Sequence, residues 1–204
     1  MYNYEEIYQT MKKAAKFALI KTIPIFLGYI FLGIAFGLLL QKSGLSVFWA
    51  FLISTLVYAG SMQFALVGIL TGGLSYVTTA VMTLFINSRH AFYGLTFIER
   101  FKEMRKAYPY MVFSLTDETY SLLCSMARPS AFTDKEWKAA TFFTAFFDQC
   151  YWIAGSVLGA LMGELITFDT TGIDFAMTAL FVVICVDQWK AAKTHIPAVT
   201  GFIC

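Results

Sequence analysis

From Leu74 to Ile98 the chain runs at membrane length without a break, yet it carries Asn87-Ser88-Arg89-His90 near the middle of that run. A spanning helix needs about 20 residues at 1.5 Å each. An ionisable side chain at bilayer depth costs about 2.5–3.5 kcal/mol on insertion scales, so it normally faces a bundle interior or a wet cavity and marks a pathway. The pattern recurs at Thr116-Asp117-Glu118-Thr119 and at Asp148-Gln149. Buried polar groups inside several apolar segments point to a transporter.

Composition supports the membrane class. The chain is 58% hydrophobic and 14% charged with mean hydropathy +0.66, whereas soluble domains sit near ~45–50% apolar and ~25% charged. A formal charge of +2 and no basic run beyond Lys12-Lys13 argue against nucleic acid, and that pair reads as a membrane-flanking anchor. Cys124, Cys150, Cys185 and Cys204 have no CxxC spacing and are expected to be small buried hydrophobes. The apolar run after Lys21 reaches Leu40, too long for the ~7–15-residue core of a signal peptide, so it is expected to stay as a helix.

The fold class expected is all-α: a polytopic transmembrane bundle forming one integral membrane domain over residues 1–204. Six apolar segments fall at about 20–40, 46–71, 74–98, 109–127, 139–162 and 174–188. They are too long for barrel strands of about 9–11 residues. Residues 4–17 suit a short amphipathic helix at the membrane surface. The apolar tail 196–204 cannot span by itself, so one or two further helices are expected beyond it. Gly33 and Gly37 in the first segment, like Gly155 and Gly159 in the fifth, stand four apart. Such spacing lets helix backbones approach closely, although Gly is common in membrane helices in general. The echo between the segments is one spacing match for an internal repeat.

Charge flanks give conflicting orientations. Lys12, Lys13, Lys16 and Lys21 place the N-terminus in the cytoplasm. If every segment crossed once, loop 99–108 would lie outside despite Arg100, Lys102, Arg105 and Lys106. The flanks agree if 46–71 and 109–127 are broken, re-entrant hairpins, with breaks at Ala59-Gly60-Ser61 and Thr116-Asp117-Glu118. Non-helical backbone at depth is tolerated where it lines a cavity. Plain spans with one weak loop are the competing reading.

Three constellations carry the chemistry. Gly60 and Ser61 can offer backbone groups to a substrate, and Gln63 can donate and accept; ordinary interhelical packing would use the same residues. Asn87, His90 and Tyr93 fall on one helical face at spacing three, while Arg89 lies about a hundred degrees round from His90. A guanidinium suits a carboxylate, either a substrate's or that of Asp117 or Glu118. His90 changes charge near physiological pH. Asp117 and Glu118 are adjacent and so point to different sides of a helix, which lets one pair with Arg89 while the other faces the pathway. The competing reading is a purely structural ion pair. Asp148 is a weaker candidate, solvated or hydrogen-bonded beside Gln149, and Asp187 suits the interface. Enzyme readings fare badly: with His90 and His195 alone there is no HExxH cluster, and no GxSxG, Walker loop or GxGxxG is present. An intramembrane hydrolase using Ser61 or Ser88 with His90 is the residual enzymatic alternative. No metal or cofactor is called for.

Taken together, Tyr58-Ala59-Gly60-Ser61-x-Gln63-Phe64, Asn87-x-Arg89-His90-x-x-Tyr93-Gly94, Thr116-Asp117-Glu118 and Asp174-Phe175-Ala176-Met177-Thr178-Ala179-Leu180-Phe181 resemble the AzlC family, the large subunits of bacterial branched-chain amino-acid exporters. The motifs occur in family order over roughly residues 20–190. Family members usually continue for one or two more hydrophobic segments. The resemblance implies export of leucine, isoleucine, valine and methionine across the bacterial cytoplasmic (inner) membrane, driven by the proton gradient. It also implies an AzlD-type partner of about four helices. For a zwitterion, Arg89 with the Gly60-Ser61 backbone would hold the carboxylate and Asp117 or Glu118 the ammonium. Phe64, Phe92 and Phe113 are candidates to receive the branched side chain. A structural or assembly subunit, whose buried charges are ion pairs, is the alternative.

Overall fold

In a computed structural model the described residues are 4–165 together with positions 175, 179, 182, 186, 189 and 199. The chain clusters into two compact units, residues 1–167 and 168–204. The segment 174–188 with its motif, Asp187, Cys185 and the tail 196–204 otherwise lie outside the described residues.

The first unit is helical throughout: α1 (Tyr4–Lys42), α2 (Val47–Leu56), α3 (Gly60–Gly72), α4 (Tyr76–Lys102), a 3-10 turn (Arg105–Ala107), α5 (Tyr108–Phe113), α6 (Asp117–Ser125) and α7 (Asp134–Leu165). Among the described helices, α1 alone is both long and apolar enough to cross a membrane, while α2 and α3 are shorter apolar helices. Six separate spans are not confirmed by these helices, and the sixth segment, 174–188, lies outside the described residues. α4 and α7 have the length, but Arg89, Glu99 and Arg100 in one and Lys138 and Asp148 in the other lower their apolarity.

Residues 4–17 are not a separate helix. They continue into the apolar part of α1, which at 1.5 Å per residue is roughly 58 Å long. Ala14 is fully buried, Phe17 packs on Phe132 and Trp137, and Lys13 reaches Glu136 at 2.9 Å, so this end is docked on the start of α7. That start is a capping box. The Thr133 amide donates to Glu136 Oε2 (2.7 Å) and the Glu136 amide to Thr133 Oγ1 (3.3 Å).

The two glycine pairs are the two sides of one seam. A Cβ on Gly37 would stand 2.1 Å from the Ser156 carbonyl oxygen, and one on Gly159 2.2 Å from that of Ile34. At Gly33 and Gly155 the nearest backbone atoms would be 2.9 Å away. Backbone lies against backbone along α1 and α7, so the matching spacing reflects mutual contact and needs no internal repeat.

Both breaks expected in the sequence are present. The segment 46–71 divides into α2 and α3 around Val57–Ala59, and 109–127 divides into α5 and α6 around Ser114–Thr116. At the first break the buried Tyr58 has φ 40°, a left-handed conformation that costs a bulky side chain about 1–3 kcal/mol. The surroundings hold it there. The Thr55 carbonyl, in the last turn of α2, accepts from Gln149 Nε2 (3.2 Å), and the Ala59 amide donates to Gln63 Oε1 (3.2 Å). The cysteine expectation fails in part: Cys124 is exposed on α6, and Cys150 is half-buried.

Gly37→Ala should lower unfolding stability by about 1–3 kcal/mol through overpacking. Gly28→Ala, where nothing lies within 4 Å, should leave stability unchanged or raised. Thermal unfolding of the detergent-solubilised variants checks both. A hydrogen bond from Lys13, then one from the Thr133 amide, holds the Glu136 carboxyl below its usual range. A depressed carboxylate contributes stability above its unfolded value of about 4.3 and loses it as pH falls through the folded value. Glu136→Gln should therefore melt below the parent at neutral pH and converge with it in acid.

Candidate functional site

The two half-helix starts, at Gly60 and Asp117, meet at Arg89 of α4. Its Nη2 donates to Ser61 Oγ at 2.8 Å and forms an ion pair with Asp117 Oδ2 at 2.8 Å. A helix start carries partial positive charge, so two starts and a guanidinium gather positive potential in one place. Asp117 and Glu118 fill the first turn of α6, which Thr116 caps by accepting from the Thr119 amide (3.3 Å). The first turn of α3 contains no acidic residue, and Ala59 makes no side-chain cap. That side of Arg89 therefore suits an incoming anion.

The remaining α4 residues follow the expected face. His90 Nδ1 donates to the Asn87 carbonyl at 3.2 Å, which in the neutral ring leaves Nε2 as acceptor. The His90 and Tyr93 rings meet edge-on at 5.9 Å, and Tyr93 stacks on Tyr120 of α6 at 4.3 Å. Asn87 Oδ1 is buried with no hydrogen-bond partner among the described residues, an acceptor turned inward.

Asp117 and Glu118 diverge as adjacency requires. Glu118 turns from Arg89 toward α1, where Tyr29 Oη donates to its Oε2 at 2.7 Å. Tyr29 Oη also lies 2.6 Å from Thr116 Oγ1, Thr116 Oγ1 lies 3.1 Å from Thr119 Oγ1, and Thr119 reaches Asp148 Oδ2 at 2.8 Å. Asp148 is fully buried, so of its two expected settings the solvated one is excluded. Gln63 is engaged at both ends of its amide: Oε1 accepts from Trp152 Nε1 (2.9 Å) and the Ala59 amide, and Nε2 donates to Ser54 (3.2 Å). It buckles the α2–α3 break, the structural role weighed against binding. Gly60 sits beside the Trp152 ring, 3.7 Å from where a Cβ would stand. Of the three phenylalanines, Phe64 is buried against Phe36 while Phe92 and Phe113 are exposed.

Sequence reasoning passed over Tyr29 and Trp152 and ranked Asp148 low. The only signal for Asp148 was a carboxylate inside an apolar run. Tyr29 is one of 11 tyrosines and carried no signal of its own.

Among the described residues, an all-helical arrangement with two broken helices starting at a shared guanidinium has the construction of a membrane transport protein. The model of the family described as AzlC protein matches residues 24–166. The chain is 38% identical over 180 residues to the branched-chain amino acid transport protein AzlC of Bacillus subtilis, covering 88% of this chain and 70% of that one. It is 36% identical over 191 residues to an uncharacterized membrane protein of Helicobacter pylori, covering 94% and 82%. To the inner membrane protein YgaZ of Escherichia coli it is 28% identical over 148 residues, covering 70% and 58%. No solved structure matches it. The chain belongs to the AzlC family.

The Arg89–Asp117 pair is partly shielded, with side-chain exposures of 28% and 21%. Removing one partner leaves the other charge uncompensated, which costs more than removing both. Arg89→Met should therefore be less stable than the double variant Arg89→Met/Asp117→Asn, as thermal unfolding of the purified proteins would measure.

Proposed function

We propose that the chain is the large subunit of a secondary transporter that exports branched-chain amino acids (leucine, isoleucine, valine and methionine) in exchange for protons. It works in the bacterial cytoplasmic membrane as a multi-pass protein with a cytoplasmic N-terminus, together with a small AzlD-type membrane subunit. The observation that carries this reading is Arg89 at the meeting of two half-helix starts, bonded to Ser61 and Asp117. A substrate carboxylate replaces Asp117 on the guanidinium and takes up the uncompensated start of α3. Asp117, once released, or Glu118 receives the ammonium. Both charges of a zwitterion are then met without any charge being left bare in an apolar setting. His90 and the carboxylates supply groups that can carry protons. The name of the Bacillus subtilis relative supports the substrate class and favours transport over catalysis, and that of the Escherichia coli relative supports the membrane.

One observation favours a second reading, a structural subunit whose transport path lies mainly in the partner: Gln63 and Asp117 are already engaged by protein groups. Leucine efflux from proteoliposomes, with and without the small subunit and under an imposed pH gradient, separates the two. Gradient-dependent efflux with both subunits, abolished in Arg89→Ala, is expected. A folded complex in which Arg89→Ala exports normally would sink the site assignment and leave the structural reading.

A further inference from the structure

Tyr29, Thr116 and Thr119 form an unbroken file of hydroxyls between two carboxylates. The successive separations are 2.7 Å (Glu118 to Tyr29), 2.6 Å (Tyr29 to Thr116), 3.1 Å (Thr116 to Thr119) and 2.8 Å (Thr119 to Asp148). Each link is of hydrogen-bond length, and each needs one proton.

If both carboxylates were ionised, three hydroxyl protons would serve four links. With Tyr29 donating to Glu118, Thr116 to Thr119 and Thr119 to Asp148, the Tyr29–Thr116 contact would hold no proton, yet at 2.6 Å it is the shortest of the four. Two oxygens that close without a proton repel. Two protonated acids would supply five protons for the same four links and leave one without an acceptor in the file. One added proton matches the count.

We infer that Glu118 and Asp148 share a single proton through this hydroxyl file, making them one proton-carrying unit. The inference deepens the proton-coupled reading and rests on it for its role in transport. In one arrangement Asp148 is the acid and donates to Thr119, Thr119 to Thr116, Thr116 to Tyr29, and Tyr29 to the Glu118 carboxylate. In the other, Glu118 is the acid and every link is reversed. Passage between them carries each proton across its own link from donor to acceptor, so one proton leaves Asp148, one arrives at Glu118, and the negative charge travels the opposite way. Asp148 is the resting acid. It is fully buried, and among the described residues its Oδ1 has no hydrogen-bond partner and no Lys or Arg pairs with it. Glu118 keeps its charge in the first turn of α6, where the helix start favours an anion. The other titratable groups facing the file are Tyr58 at the α2–α3 break, Arg89 with Asp117, and Tyr110 of α5.

Infrared difference spectra of the purified full chain at neutral pH test this through the C=O band of protonated carboxylic acids. An amide at either end donates the fourth proton itself, so Asp148→Asn and Glu118→Gln should each abolish the same single band. Absence of that band from the parent, its survival at full strength in either variant, or a loss of half its intensity in each would overturn the shared proton. If an amide variant does not fold, Tyr29→Phe keeps both carboxylates while cutting the file and should shift the band; an unmoved band overturns the inference equally. The signal requires no transport. A shared band without gradient-driven efflux sinks the exporter reading alone, and gradient-driven efflux without the band sinks the proton file alone.

Discussion

Direct backbone contact between α1 and α7 is the constraint from which the rest follows. With Gly33 and Gly37 against Gly155 and Gly159, the helices approach as closely as chains can. Side chains just beyond the seam are thereby forced together, and Tyr29 meets Trp152 edge-on at 5.4 Å. Every half-helix then leans on this pair through a polar contact: α2 and α5 through Gln149, α3 through Trp152, and α6 through Tyr29 and Asp148. In a setting where apolar burial does not distinguish one helix face from another, close packing and hydrogen bonds decide where short helices dock.

The broken helices answer a difficulty their own sequence creates. Interrupting a helix exposes backbone groups that an apolar environment cannot satisfy. Gln63 and Gln149 supply the missing partners at the first break, and Thr116 does so at the second. The strain in Tyr58 persists because these contacts over-determine the chain around it.

Much of this was legible in the residues. Apolar runs interrupted by Gly60-Ser61 and Asp117-Glu118 located both breaks to within a residue or two, because backbone irregularity at depth demands polar company. The Gly spacing located the seam. The divergence of Asp117 from Glu118 followed from helical geometry alone. Tyr29 was invisible because its role depends on which helix lies opposite, and that pairing has no local signature. Gln63 was ambiguous for the same reason: a buried amide can serve substrate or scaffold, and only its partners decide. The number of spans was not legible, since an apolar run of 20 or more residues does not reveal whether it is one rod or two short ones.

The glycine seam also divides the molecule into parts that can and cannot move. Interlocked backbones do not slide without clashing, so α1 and α7 behave as a fixed post. The short helices are attached by exchangeable hydrogen bonds and joined at Val57–Ala59 and Ser114–Thr116, where few dihedral angles need change. On the proposed exporter reading, alternate opening toward the two sides of a membrane falls to the half-helices rocking against the post. On that reading Arg89, bonded to the starts of both α3 and α6, is the latch that ties their movements together.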